Sequence, residues 1–368
     1  MSKRIDSGET STNKKMPIKK QSFSLSDYKS TKKLNDDVKD KEIQWIPMSN
    51  GFRETIGIDV PKGYVTLVRG YSSVGKSTAM LECIVGCQKT GVLPVIIDTE
   101  NSFDWEHARL MGVEFEELAD ESTGEITGYD GFFIYINNDY LIENYGKKRD
   151  KNRDEAVVED VAEFIHNTLD DQASEKLPYE ICFLWDSIGS LDCEKSVVSK
   201  SRNNMWNAGA LETAFKSLLN HRIPSSRKEN KKYTNTFFGV QKIWFDSQSG
   251  AGVVKHKGGE AFYYASRIII HLGGVQSHGT ARLTATSNKR DYVFATETKM
   301  EIVKNHVNGI SYKGKIVATP HGFINSTDVE NYKKEHKDYL LSKLGLDSGE
   351  IDVKREDSVN SIEVEDKI

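Results

Sequence analysis

The sequence predicts an α/β fold: a mostly parallel central sheet flanked by helices, with antiparallel edge strands towards the C-terminus. Two features predict the parallel part. The apolar runs "LPVIIDTE", "FFIYI", "EICFLWDS", "NTFFGVQ" and "SRIIIHLG" are short, and several are unbroken and closed by a polar residue. That is the pattern of strands covered on both faces. Helical or irregular stretches separate these runs, as layers of helix packed on a parallel sheet require. A third feature marks the change of architecture: beyond residue 276, "ARLTAT", "KMEIVKN" and "GKIVAT" read as antiparallel strands joined by turns.

In chain order, residues 1–45 form a basic arm. Its first 34 residues carry Lys3, Arg4, Lys14, Lys15, Lys19, Lys20, Lys29, Lys32 and Lys33 against only Asp6, Glu9 and Asp27. Such an arm is either a solvated, disordered tail or a docking peptide. The apolar Phe23, Leu25, Tyr28 and Leu34 give it enough apolar content to dock, on an adjacent subunit. The core follows, over residues 46–325. Its first strong strand, "YVTLV", runs into "GYSSVGKST" at residues 70–78, and "STAMLECIVGCQKT" then reads as a helix.

Gly70, Tyr71, Ser72, Ser73, Val74, Gly75, Lys76 and Ser77 fit the pattern G-x-x-x-x-G-K-[ST], and Thr78 follows as a further candidate contact. Glycines there let backbone N–H groups turn inward on phosphate oxygens, and the helix N-terminus adds its dipole to the same anion site. Lys76 is placed to reach the β- and γ-phosphates, and the Ser77 hydroxyl to ligate Mg²⁺. The ligand this predicts is a nucleoside triphosphate with Mg²⁺.

Polar residues at the strand ends carry the next inference, because ligands of parallel sheets bind at the carboxyl ends of strands. Asp186 closes a buried run, where a carboxylate needs hydrogen bonds or a cation. It is read as the Mg²⁺-supporting carboxylate, a role compatible with capping the next helix. Glu100 lies just past the strand that follows the phosphate-loop helix, where a general base for attack of water on the γ-phosphorus belongs. Polar stretches at 119–131 and 144–157 read as loops or an inserted surface element. A helix over 326–346, "NYKKEHKDYLLSKL" within it, and an acidic disordered tail over 347–368 complete the chain.

Bulk properties exclude several classes. With 37% hydrophobic and 29% charged residues, no run approaches the ~20 apolar residues of a membrane span. The first 15 residues, "MSKRIDSGETSTNKK", contain no apolar region of a signal peptide. Both point to a cytoplasmic protein without a membrane partner. Cys83, Cys87, Cys182 and Cys193 lack a second pair at zinc spacing and read as reduced, packed thiols.

Taken together, these blocks resemble the bacterial RecA recombinase family. "VIIDTENSFDWEHARLMGV" is similar to the family segment in which I-D-x-E precedes an Asp and then A-R-x-x-G-V. "FLWDSIGSL" resembles its Walker B strand, "FFGVQ" the strand bearing its γ-phosphate-sensing glutamine, and "GGEAFYYASRIIIHL" its Gly-Gly motif. "KMEIVKNHV" resembles a late strand whose basic residues act across a subunit interface. The blocks keep family order over residues 46–324. The compact length is nearest the phage-encoded, UvsX-like branch.

The resemblance implies a RecA-like ATPase core in which Lys76, Glu100 and Gln241 are catalytic, Gln241 as the γ-phosphate sensor. It implies that Asp104 hydrogen-bonds the adenine amino group, while His107 stands where the family has a stacking tyrosine. Lys304 and His306 match the pair that reaches a neighbour's γ-phosphate, with histidine in place of the second lysine. A surface histidine is the other reading of His306, since a neutral imidazole carries only partial charge near pH 7.

Two segments resemble the family's DNA-binding loops. "QKIWFDSQSGAGVVKHKG", residues 241–258, reads as polar, glycine-containing loop with no strand or helix. Lys242, Lys255, His256 and Lys257 offer phosphate contacts, and Trp244 and Phe245 could stack on bases. "CEKSVVSKSRNNMWNAGA" takes the position of the other loop, with Lys195, Lys200 and Arg202 as candidates. Each alone also reads as an ordinary solvated loop.

The implied function is an ATP-dependent recombinase that forms head-to-tail filaments on single-stranded DNA and exchanges strands with duplex DNA. A single-strand-binding protein and a loading mediator are implied partners. A hexameric helicase motor on the same core, or a RecA-like mediator, are the alternatives. The short arm lacks a helicase's N-terminal domain, and the complete set of Glu100, Asp186 and Gln241 argues against a non-catalytic mediator.

Overall fold

The computed structural model describes residues 25–31, 39–147, 153–201, 204–246, 253–256, 260–274 and 279–357. A helix α1 (Leu25–Thr31) stands in the basic arm, and the pair β1 (Trp45–Ile46) and β2 (Val60–Pro61) brackets α2 (Asn50–Ile56). Ser49 caps α2 by accepting from the backbone N–H of Phe52, and Gly57 ends it in the left-handed conformation. The unit β3 (Val65–Gly70), α3 (Lys76–Thr90) and β4 (Leu93–Asp98) follows, then α4 (Trp105–Met111). An inserted hairpin, β5 (Glu116–Ala119) and β6 (Ile126–Asp130), leads to β7 (Ile134–Asn137) and α5 (Asn138–Leu141).

Next come α6 (Val158–Ala173), β8 (Ile181–Ile188), α7 (Glu194–Ser199), α8 (Asn204–Ser217) and the short α9 (Ile223–Ser225). They are followed by β9 (Thr236–Asp246), β10 (Val253–His256), α10 (Ala261–Ala265) and β11 (Ile268–Leu272). The C-terminal part holds β12 (Ala281–Ser287), β13 (Arg290–Asn305), β14 (Lys313–Thr319), β15 (Gly322–Asn325), α11 (Val329–Glu335), α12 (Lys337–Leu344) and β16 (Asp352–Asp357).

One large sheet organises the molecule, in the order β15-β14-β13-β11-β3-β9-β8-β4-β7. Every pair from β11 through β3, β9, β8 and β4 to β7 is parallel, whereas β12 to β16 add antiparallel strands. The reason the parallel strands are unbroken apolar runs is visible in β8. Alternate residues of a strand face opposite sides, and Cys182 and Leu184 join the core beneath α3 while Ile181, Phe183 and Trp185 join the core beneath α6 and α8. A third, smaller core lies between the C-terminal antiparallel strands and α11 and α12.

Three sequence expectations are corrected. The segment 241–258, expected to be without strand or helix, continues β9 as far as Asp246. There β10 pairs back on it, Val253 opposite Asp246 and His256 opposite Ile243. Ile243, Trp244, Phe245, Val253 and Val254 are the β-branched and aromatic types that strands favour, and this outweighs the polar residues between them. The tail expected to be disordered contains β16, which pairs along β12. A strand edge presents unpaired backbone groups, and β16 covers that of β12. Arg355 ties it down by pairing with the buried Glu297 at 2.7 Å. The single C-terminal helix is two helices broken at His336, whose ring stacks on His321 at 3.8 Å between centroids.

The N-terminus of α6 is held by a buried ion pair. Arg153 donates to both carboxylate oxygens of Asp160, at 3.0 and 2.7 Å, and Asp160 also accepts from the backbone N–H of Val157. The two side chains are 2% and 0% exposed, so removing one partner strands a charge in the interior. Arg153→Ala should therefore cost about 3–5 kcal/mol in chemical denaturation, and Arg153→Ala with Asp160→Ala should recover part of it. Equal losses in the single and double variants would show that the charge pair is not what matters.

Candidate nucleotide site and nucleic-acid interface

The site is assembled by strand register. Gly70 ends β3, and its neighbours in the sheet, β9 and β11, present Lys242 and Leu272 beside it. Asp98 at the end of β4 is paired with Asp186 of β8, and Ile188 of β8 with Gln241 of β9. Residues 70, 98, 186 and 241 therefore reach the same end of one parallel sheet. Both loop glycines are structurally required. A Cβ on Gly70 would meet the Leu272 carbonyl oxygen at 2.4 Å, and Gly75 has φ +95° with the Phe323 ring 3.0 Å from its would-be Cβ.

Lys76 opens α3, and its Nζ donates to the backbone carbonyl of Tyr71 at 2.5 Å. Burial brings its pKa down to about 8, with Lys242 adding to the effect and Asp186 and Glu100 opposing it. The Ser77 hydroxyl lies 3.4 Å from Asp186 Oδ2. Burial, with repulsion from Glu100, pushes the Asp186 carboxyl up to about 6. A buried carboxylate short of compensating charge, beside a serine hydroxyl at a helix N-terminus, is a fitting oxygen donor set for a small hard cation such as Mg²⁺. The phosphate loop and Lys76 likewise fit a triphosphate.

Glu100 is exposed at the end of β4, and the Ser187 hydroxyl donates to its carboxylate. Around it the backbone is fixed from two sides. Asp98 accepts from the N–H groups of Glu100, Ser102 and Phe103 and from the Tyr135 hydroxyl. Thr99 donates from its backbone to the Asp186 carbonyl and accepts on its hydroxyl from Trp185 Nε1. Asp98 thus positions the loop that carries Glu100.

A cavity of about 480 Å³ leads away from Ser73–Thr78. Asp104, just before α4, and His107 of α4 line it, as do Thr319 and Pro320. Asp104 caps α4 by accepting from the His107 backbone N–H at 2.9 Å. Tyr292 and Tyr339 also line this cavity. Sequence reasoning missed both, and no local pattern links positions 292 or 339 to residue 76.

Lys304 and His306 are not brought to this chain's own phosphate loop. Lys304 is opposite Ile269, three residues along β11 from the level of Gly70, or about 10 Å at the rise of a strand. Its ammonium donates to the carbonyls of Tyr263 and Tyr264, and His306 is exposed.

At the expected nucleic-acid surface, Lys242 is exposed, one residue past the buried Gln241. Lys255 is paired in register with Trp244, and Val254 with Phe245. Lys257 lies outside the described residues. In the other segment Lys195 sits over the Trp206 ring at 4.1 Å, Lys200 is exposed, and Arg202 is outside the described residues. The cysteine reading gains one feature: Cys83 and Cys87 of α3 meet Cys182 of β8 in the core, all three fully buried. Among the described residues no helix is long and apolar enough to cross a membrane.

Residues 25–127 match the RecA N-terminal domain family. Two proteins called "Protein RecA", from two strains of Ureaplasma parvum serovar 3, are each 37% identical to the chain over 101 residues. That stretch is 26% of this chain and spans 30% of the relatives' length.

Proposed function

We propose that this chain is a RecA-type recombinase, a DNA-dependent ATPase that assembles on single-stranded DNA and promotes pairing and strand exchange. The observation that carries the proposal is the continuity of β9. Its buried Gln241 stands at the phosphate end of the sheet, Lys242 is paired with Gly70, and the same strand runs on into the ribbon with β10. A displacement of Gln241 by the γ-phosphate is thereby passed along a rigid strand to the ribbon. The match to the RecA N-terminal domain family and the similarity to RecA proteins support this reading.

In the mechanism we infer, the phosphate-loop N–H groups and Lys76 bind and orient the triphosphate. Glu100 accepts the proton of the attacking water, and the Ser187 hydroxyl holds its carboxylate in place. Ser77 and Asp186 would hold Mg²⁺, which neutralises phosphate charge when bound. Lys304 sits away from its own phosphate loop and would serve the loop of the next subunit in a head-to-tail assembly. Such an assembly grows as a helical filament when the rotation between subunits does not close a ring.

Electron microscopy with single-stranded DNA and a slowly hydrolysed ATP analogue tests the reading. Helical filaments are expected. Closed rings would support the helicase motor instead, and no assembly would support a mediator.

A further inference from the structure

The cavity beyond the phosphate loop has a chemically mixed wall. Lys76 and Ser77 contribute to it, and Leu110, Pro320, Tyr292 and Tyr339 supply apolar and aromatic surface. Tyr339 belongs to α12, far outside the segment that matches the RecA N-terminal domain family. Its ring is held by edge-on packing against His321 at 4.9 Å and by a hydroxyl-to-hydroxyl hydrogen bond to Tyr292 at 3.3 Å. A fixed aromatic surface beside a ligand cavity costs little entropy when it stacks on a ligand.

His107 of α4 lines the same space, with the Thr319 backbone carbonyl beside its ring. Lys343 of α12 pairs with Glu106 of α4 at 3.3 Å. That bridge joins the helix bearing Tyr339 to the helix bearing His107.

We propose that Tyr339 is the stacking surface for the purine base of the nucleotide, and that the Glu106–Lys343 pair clasps α12 over it. The proposal rests on the nucleotide site described above and adds its base specificity. The C-terminal helix, on this reading, closes the base end of the pocket.

The test compares ATP with ribose 5′-triphosphate, which keeps the phosphates and sugar and lacks the base. Affinities are measured by calorimetry on the full chain carrying no substitution, Tyr339→Phe, Tyr339→Ala or Lys343→Ala. The unsubstituted chain should prefer ATP, and Tyr339→Ala should lose roughly 10- to 100-fold in ATP affinity, the range of one aromatic–base stack. Its affinity for ribose 5′-triphosphate should not change. Tyr339→Phe should retain the preference, and Lys343→Ala should weaken it by a smaller factor. A Tyr339→Ala chain that keeps the full preference for ATP overturns the proposal. Equal losses for both ligands also overturn it, since they place Tyr339 in the general fold of the site. If the unsubstituted chain binds neither ligand, the nucleotide site itself fails, and the base pocket with it.

Discussion

Lys76→Ala should abolish nucleotide binding, whereas Glu100→Gln should bind ATP normally and hydrolyse it about 10²–10⁴-fold more slowly, the usual contribution of a positioned acid or base. The two side chains are separated by role. Lys76 opens the helix at the phosphate loop, and its ammonium is half-buried, so a triphosphate supplies the charge that its surroundings lack. Glu100 is exposed and lies across the site on the Ser187 hydroxyl. Glutamine keeps an oxygen that can accept from Ser187 and cannot take a proton from water. Binding by calorimetry and phosphate release with and without single-stranded DNA check this directly. An equal loss of ATP affinity in both variants would reject Glu100 as the base.

The second large effect is expected at the β9–β10 ribbon. Trp244 and Lys255 are opposed in register, an aromatic and a cation on the same rung. Stacking on an aromatic side chain is worth about 1–3 kcal/mol per base, and a filament repeats that interaction in every subunit. Trp244→Ala should therefore bind single-stranded DNA severely more weakly. Lys255→Ala with Lys257→Ala should act differently. Every phosphate that a lysine no longer neutralises lowers the slope of log affinity against log salt by about 0.7 on single strands. Fluorescence anisotropy over a salt series distinguishes the two, with the unfolding midpoint as the folding control. Unchanged affinity in the tryptophan variant and an unchanged salt slope in the lysine variant would together remove the ribbon from the DNA interface.

Much of the site was legible because its parts are local. The phosphate-loop motif is eight consecutive residues whose chemistry is written in their types and spacing. Asp186 and Glu100 were marked by polarity at the ends of apolar runs, which burial in a parallel sheet explains residue by residue. The ribbon was misread because its lysines, glycines and serines outnumber its strand formers. Hydropathy registers that excess, whereas the backbone follows Ile243, Trp244 and Phe245 and pairs them with Val253 and Val254. The strand Asp352–Asp357 was hidden in an acidic tail because what orders it lies elsewhere: the open edge of β12 and the buried carboxylate of Glu297.

From the sequence alone came the α/β class, the succession of strands and the identity of the phosphate loop. These follow from periodicities of two and 3.6 residues and from short motifs, which need no knowledge of distant neighbours. Tertiary structure decided which strands are adjacent, and hence that Gly70, Asp98, Asp186 and Gln241 meet at one end of the sheet. It also decided that Lys304 lies away from its own phosphate loop, that Cys182 joins Cys83 and Cys87, and that Tyr339 borders the cavity. The physical reason is shared. Strand order and register are set by burying both faces of the sheet beneath helices drawn from distant parts of the chain, and that packing leaves no trace in the residues immediately around any one of these positions.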